Sequence, residues 1–319
     1  LNGTPVTNTE EDLFCQWYFL DPRILGYTSY YSFAANHLEF HDEYNYVVRA
    51  HNTDLLVNKI APYTYQIKKN ECLALPKKSY SSRYYDMTWK QKDIYYSAMD
   101  EILMDISVEE FTSYTLFQLF TALQKVISGI TPEDNNIFDK PINNPRIKAL
   151  FDIIDNLPEE KTIIWCKYQH EINTIKRILS DRFKPGKVAE YWGELSEREK
   201  NRQLDKFENK ARFLVANKSV GAFGLNLQFC NYAIYYSNDF NWATRKQSED
   251  RIHRAGQENN VHIIDVVCRE SIDERIQEVL HQKGSLVNSF KRKIDDMKDK
   301  EDLRRWINNA EKVSEKECV

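Results

Sequence analysis

The chain has 319 residues, 44 Lys/Arg against 48 Asp/Glu and a net charge of −4, which excludes a uniformly basic nucleic-acid coat. Its 42% hydrophobic content suffices for ordinary cores, and at this length two compact units are expected. No apolar run approaches the ~18–20 residues of a membrane span, so no membrane partner is expected. The six cysteines (15, 72, 166, 230, 268 and 318) form no C-x-x-C pair, which argues against a metal site or a disulfide framework. With no secretory signal read at the polar start, a cytoplasmic setting is expected.

In chain order, Asn8/Thr9 predicts the cap of a helix through Leu13, Trp17 and Leu20, stopped at Asp21-Pro22. An irregular Tyr- and Asn-rich stretch is expected to about Ile60. Cys72–Met87 has strand character, Thr88 with Gln91 caps another helix, and Leu116, Leu119, Phe120, Leu123 and Ile127 form a helical stripe. From 145 the pattern changes. Asn144-Pro145 opens a helix through Ile147, Leu150, Phe151 and Ile154. Strands at Thr162–Cys166, Val188–Trp192, Phe213–Ala216, Tyr232–Tyr236 and Val261–Val267 then alternate with helices, among them Tyr168–Phe183 and one capped by Ser196 and Glu199. Such alternation predicts an α/β fold, a parallel sheet with flanking helices and ligand-bearing loops at the carboxyl ends of its strands. A last capping box, Ser271 and Glu274, opens a helix through Val287, after which KRKIDDMKDKEDLRR reads as a solvated helix face.

The most informative stretch is Gln247 to Gln257, QSEDRIHRAGQ. Gln247, Arg251 and Arg254 fall at i, i+4 and i+7, one face of a helix. Two guanidiniums one turn apart, followed by Gly256, suit a triphosphate, in the manner of an arginine finger. The plain alternative is an amphipathic helix with two solvated arginines and a glycine C-cap. His253, between the arginines, reads as packing. Only nine glycines occur, and four of them (193, 221, 224 and 256) fall within one 64-residue window.

Together these segments resemble, in order, the later motifs of Swi/Snf-type superfamily-two DNA translocases. LNGTPVTN with DLFCQWYFLDP is similar to the third motif, TIIWCKYQHEINTIKRIL to the fourth, KSVGAFGLNLQFCNYAIYYSNDFNW to the fifth and QSEDRIHRAGQ to the sixth. YWGELSEREKNRQLDKFE resembles the strand–glycine–helix segment between them, and SIDERIQEVLHQKGSLVNSF the brace helix. The resemblance implies a RecA-like second lobe at 145–270, preceded by the remnant of a first lobe with an insertion at 1–88 and a helical protrusion at 89–144, and followed by a brace helix and charged tail at 271–319. It implies ATP and Mg²⁺ as cofactors and double-stranded DNA as partner. It implies phosphate contacts from Arg251 and Arg254, nucleotide-site roles for Gln247, Gly224, Asn226 and Gly256, and DNA-backbone contacts from Lys167, Lys218 and Ser219.

Ala222 stands in place of a usual second glycine, Phe240 in place of a tryptophan and Trp242 in place of a proline, so the element linking the DNA and ATP sites is expected to pack differently. No G-x-x-x-x-G-K-[ST] loop and no acidic Mg²⁺-binding box occurs in the 319 residues. The expectation is a C-terminal helicase-lobe fragment, inactive alone, whose missing N-terminal RecA-like lobe supplies the phosphate cradle and the Mg²⁺ ligands. The alternatives are a stand-alone nucleic-acid-binding or regulatory lobe, and a small-molecule α/β enzyme for which no nucleophile or base assembles. Composition leans toward a bacterial or phage protein.

Overall fold

The computed structural model describes residues 10–40, 47–65, 67, 72–105, 113–130, 143–218, 225–282 and 300–308. The chain divides into two compact units, Leu1–Ala74 and Leu75–Val319.

In the first unit, α1 (Asp12–Leu20) ends at Asp21, whose carboxylate caps α2 (Pro22–Leu25). The expected cap at Asn8/Thr9 lies outside the described residues. The stretch expected to be irregular is instead ordered as α3 (Tyr30–His37), a hairpin of β1 (Leu38–Phe40) with β2 (Val47–Ala50), and α4 (Thr53–Ile60). These short pieces carry little periodicity, and what orders them is a shared core of Phe14, Leu25, Phe33, Ala34, Leu38 and Leu56. His37 is fully buried there, with Nε2 on the Tyr27 hydroxyl (2.7 Å).

The second unit is a six-stranded, all-parallel sheet flanked by helices. Its strands are β3 (Lys78–Tyr85), β4 (Thr162–Cys166), β5 (Val188–Tyr191), β6 (Phe213–Asn217), β7 (Tyr232–Tyr235) and β8 (Val261–Cys268), in the order β3-β8-β7-β4-β6-β5. The apolar runs of the central strands are continuous because both faces are covered. Ile164, Cys166, Val215, Ile234 and Val266 pack into one cluster, while Ile163, Trp165, Leu214, Ala216, Ala233, Tyr235 and Ile263 pack into the other.

The first cluster is roofed by α5 (Trp89–Asp105), α6 (Ser113–Ile127), α7 (Pro145–Asn156), α8 (Gln169–Phe183), α11 (Ile272–His281) and α12 (Lys300–Asn308). The second is roofed by α9 (Glu197–Asn209) and α10 (Trp242–Ile252). Caps read from the sequence hold at Asn144, whose side chain accepts from Arg146 N, and at Ser196 with Glu199, which exchange bonds as a full capping box.

Two expectations need correction. The strand near 78–85 was assigned to a first-lobe remnant ending at 88, yet it pairs in register with β8 from Lys78↔Val261 to Tyr85↔Cys268. The compact units divide at Ala74/Leu75 instead. The basic tail was read as solvated, yet α12 buries Leu303 and Ile307 completely, and Arg275 Nε donates to the Trp306 carbonyl (2.8 Å). The spacing Leu303, Trp306, Ile307 is an apolar stripe hidden among charges. Val287 and the rest of 283–299 lie outside the described residues.

Candidate functional site

Helix α10 decides where the arginines stand. It leaves the carboxyl end of β7 and runs back across the sheet, antiparallel to the strands. Arg245 meets Asp265 in the middle of β8 (Nη1–Oδ1 2.6 Å, Nη2–Oδ2 3.0 Å). One turn on, Glu249 meets Lys78 Nζ and the Tyr80 hydroxyl, both 2.9 Å, at the start of β3. Beyond the helix end, His253 Nε2 lies 2.8 Å from the Pro76 carbonyl, ahead of β3. Arg251 and Arg254 therefore sit at the amino-terminal edge of the sheet, opposite the carboxyl-end loops where ligands were expected.

The helix stops at Ile252. His253 leaves helical geometry (φ −100°, ψ 80°), and Gly256 turns left-handed at φ 94°, with Gln228 against the space a Cβ would fill. Arg254 consequently lies past the helix and does not share a helical face with Gln247 and Arg251; only the Gln247–Arg251 pair does. The two arginines still converge, because the 225–227 segment meets them. Leu227 N donates to the Arg251 carbonyl (3.1 Å), and Arg254 Nη1 donates to the Leu225 carbonyl (3.4 Å) and to Asn226 Oδ1. Asn226, itself exposed, thus orients an arginine through its amide oxygen.

Arg251 Nε is buried with no hydrogen-bond partner among the described residues. Burial, and then the neighbouring Arg254 charge, lower the Arg251 pKa. An orphaned donor beside a second cation suits an anion such as a phosphate. Gln247 is half-buried on α10, and Gly224 lies outside the described residues. Gln257, read only as the end of the motif, locks the turn by donating to the Cys230 (3.0 Å) and Ile252 (3.1 Å) carbonyls. Among the described residues no cluster of three acidic, His or Cys side chains could hold a metal.

The opposite edge carries the other set. Lys167, just after β4, is half-buried; its Nζ donates to Gln124 Oε1 (2.8 Å) and lies 3.3 Å from the centroid of the Phe240 ring. Burial lowers its pKa to about 7. Lys218 is 1% exposed, with Nζ on the Ser237 carbonyl (2.6 Å) and Asp239 at 3.7 Å. That placement corrects the expectation for Lys218: its ammonium is spent on holding the loop after β7 and does not face a surface groove. Ser219 lies outside the described residues. Phe240 is buried edge-on to Phe117 (5.7 Å) and Phe120 (6.0 Å), and Trp242 opens α10.

Beneath this edge runs a buried polar network that sequence reasoning missed. Glu171 accepts from Lys167 N, Tyr168 N (both 3.1 Å), Ser128 Oγ and Ser237 Oγ (both 2.6 Å). Burial opposes its charge, but His170, Arg146 and the two hydroxyls outweigh burial and hold the carboxyl below its ordinary value. Arg146, wholly buried, pairs with Asp273 (2.9 Å) and reaches Ser128 Oγ (3.2 Å). Signals were present instead for the separate cluster under α10: Asp265 is a lone acid in an apolar strand, which demands a buried partner, and Arg245 with Glu249 is an i, i+4 pair.

Comparison with known proteins gives the site a context. Residues 145–256 match the helicase conserved C-terminal domain. An uncharacterized ATP-dependent helicase of Mycoplasma genitalium is 24% identical over 292 residues, covering 90% of this chain and 27% of that protein. The protein CHROMATIN REMODELING 4 of Arabidopsis thaliana is 25% identical over 96% of this chain and 14% of its own length. The chain thus spans about a quarter or less of these relatives. Among solved structures, the SWI2/SNF2 ATPase core of Sulfolobus solfataricus in complex with double-stranded DNA superposes with a TM-score of 0.59 at 20% identity, over 98% of this chain and 66% of that one. Residues 145–256 thus carry a helicase conserved C-terminal domain, and in motif order and fold the chain is similar to the C-terminal portion of Swi/Snf-type superfamily-two helicases.

Proposed function

We propose that this chain supplies the second RecA-like lobe of an ATP-driven double-stranded DNA translocase. The observation that carries the reading is the arginine pair at the amino-terminal edge of the sheet, where Arg251 has a buried guanidinium donor without an acceptor among the described residues. In the proposed role Arg251 and Arg254 face a triphosphate held by a first lobe, neutralising charge as the γ-phosphate departs. Asn226 aims Arg254, Gly256 makes the turn that brings it round, and Gln247 lies one turn before Arg251. Gly224 belongs to the same proposed nucleotide contact, and the first lobe brings the phosphate cradle and the Mg²⁺ ligands. At the opposite edge, Lys167 makes sequence-independent contacts to the DNA backbone, as the double-stranded DNA in the archaeal neighbour suggests, and Ser219 belongs to the same proposed set of contacts.

Two measurements test this. The purified 319-residue chain is expected to show no magnesium-dependent ATP turnover; appreciable turnover would refute the division of labour. Joined to a complete first lobe, Arg254→Ala is expected to lower DNA-stimulated ATP hydrolysis by about 10³–10⁵ while DNA binding persists. Loss of less than tenfold would remove the arginine from the chemistry.

A further inference from the structure

Within the apolar stripe of α6, Gln124 is the anomaly. It is fully buried, and its amide is satisfied on both sides. Oε1 accepts from Lys167 Nζ (2.8 Å) and from the Tyr168 hydroxyl (3.1 Å), while Nε2 donates to the Asn238 carbonyl (2.9 Å). One side chain thereby stitches α6 to the loops after β4 and β7. The amine it holds is also walled by aromatic rings, with the centroids of Phe240, Tyr168 and Phe117 at 3.3, 5.3 and 5.9 Å. The charged groups acting on Lys167 are Asp239 and Lys218 from the loops after β7 and β6, Glu171 from α8 and Asp273 from α11. The amine therefore rests on a neutral acceptor and π-faces, an arrangement that withdraws it from solvent.

We propose that Gln124 is a positioning residue that keeps the Lys167 amine turned inward, so that helix α6 sets how much of this edge's grip on nucleic acid is available. The proposal rests on the DNA-binding reading of Lys167 given above. Burial that holds Lys167 near 7 is consistent with a caged amine, and a phosphate contact through it requires the protonated form, so its share of binding is present below about pH 7 and fades above.

The test uses the full 319-residue chain, a fluorescent DNA duplex and selective acylation of amines read by mass spectrometry. Gln124→Leu is expected to free the amine. Lys167 should be acylated several times faster, and duplex affinity should rise with a log–log salt slope steeper by about 0.9, one added phosphate contact. Gln124→Glu, nearly isosteric, keeps the acceptor and adds a negative charge, so affinity should fall and acylation should not quicken. In a Lys167→Ala background Gln124→Leu should change neither affinity nor slope. A structural role alone would give the same effect in both backgrounds and leave acylation unchanged, and that result overturns the proposal. If Gln124→Leu fails to fold, the opposite-signed response of Gln124→Glu decides. If the unaltered chain binds no duplex at any salt, the DNA reading fails, while the acylation rates still settle whether Gln124 cages the amine.

Discussion

At the scale of single residues, buried charges anchor both edges of the parallel sheet. Arg146 satisfies Asp273 at 2.9 Å in a fully enclosed site, so Arg146→Met leaves a buried carboxylate without its cation. Such a change is expected to destabilise the chain by about 3–5 kcal/mol, measured by urea titration of the intact protein. Glu249 has a testable pH signature. Burial raises its pKa, but Arg245 and Lys78 outweigh burial and hold it below the ordinary 4.5. The unfolded chain then binds the proton more readily, so the stabilisation is complete above that ordinary value and disappears as pH falls through the folded one. Glu249→Gln should therefore be less stable than the parent at neutral pH and converge with it as the pH falls below the ordinary carboxylate range. A constant gap across that range would show that the carboxylate's charge is immaterial.

The arginines themselves were legible, because residue type and motif survive in linear order. Their shared helical face was not. The helix ends where His253 reaches the carbonyl of Pro76, 177 residues earlier in the chain, and no local pattern encodes that partner.

At the scale of elements, end signals were the best-read features, since a cap is satisfied within three residues. Ser196 and Glu199 exchange their bonds as expected, and Ser196→Ala should cost about 1 kcal/mol in thermal or chemical denaturation. Ser271 is a partial success: its hydroxyl accepts from Asp273 N, whereas Glu274 turns to Glu270 N, so the reciprocal box does not form. Helix α12 was misread because charge dominates its composition. Its three apolar residues only declare themselves against the cluster that Phe120 and the α11 side chains supply. Leu303→Ala should accordingly cost about 2–5 kcal/mol, as expected of a core leucine, whereas a solvated helix would lose almost nothing.

At the scale of the molecule, the parallel sheet could be foreseen from strand–helix alternation, but the identity of its edge strand could not. β3 lies 183 residues from its partner β8, and its alternating Ser, Tyr and Arg pattern reads equally well as part of an earlier domain. The contact pattern instead makes 75–319 a unit with its own core. A polypeptide of those residues is expected to unfold cooperatively, with the slowest amide exchange in the central strands β4 and β7; loss of cooperativity would place the boundary elsewhere.

The short lead-in to β3 carries a mechanical consequence. Pro76, Lys77 and Lys78 are fastened in succession to His253, Asn260 and Glu249, so whatever arrives along the backbone from residue 74 is tied to the turn presenting Arg254. These three fastenings make residues 76–78 a strap that bears directly on the arginine turn without crossing the sheet.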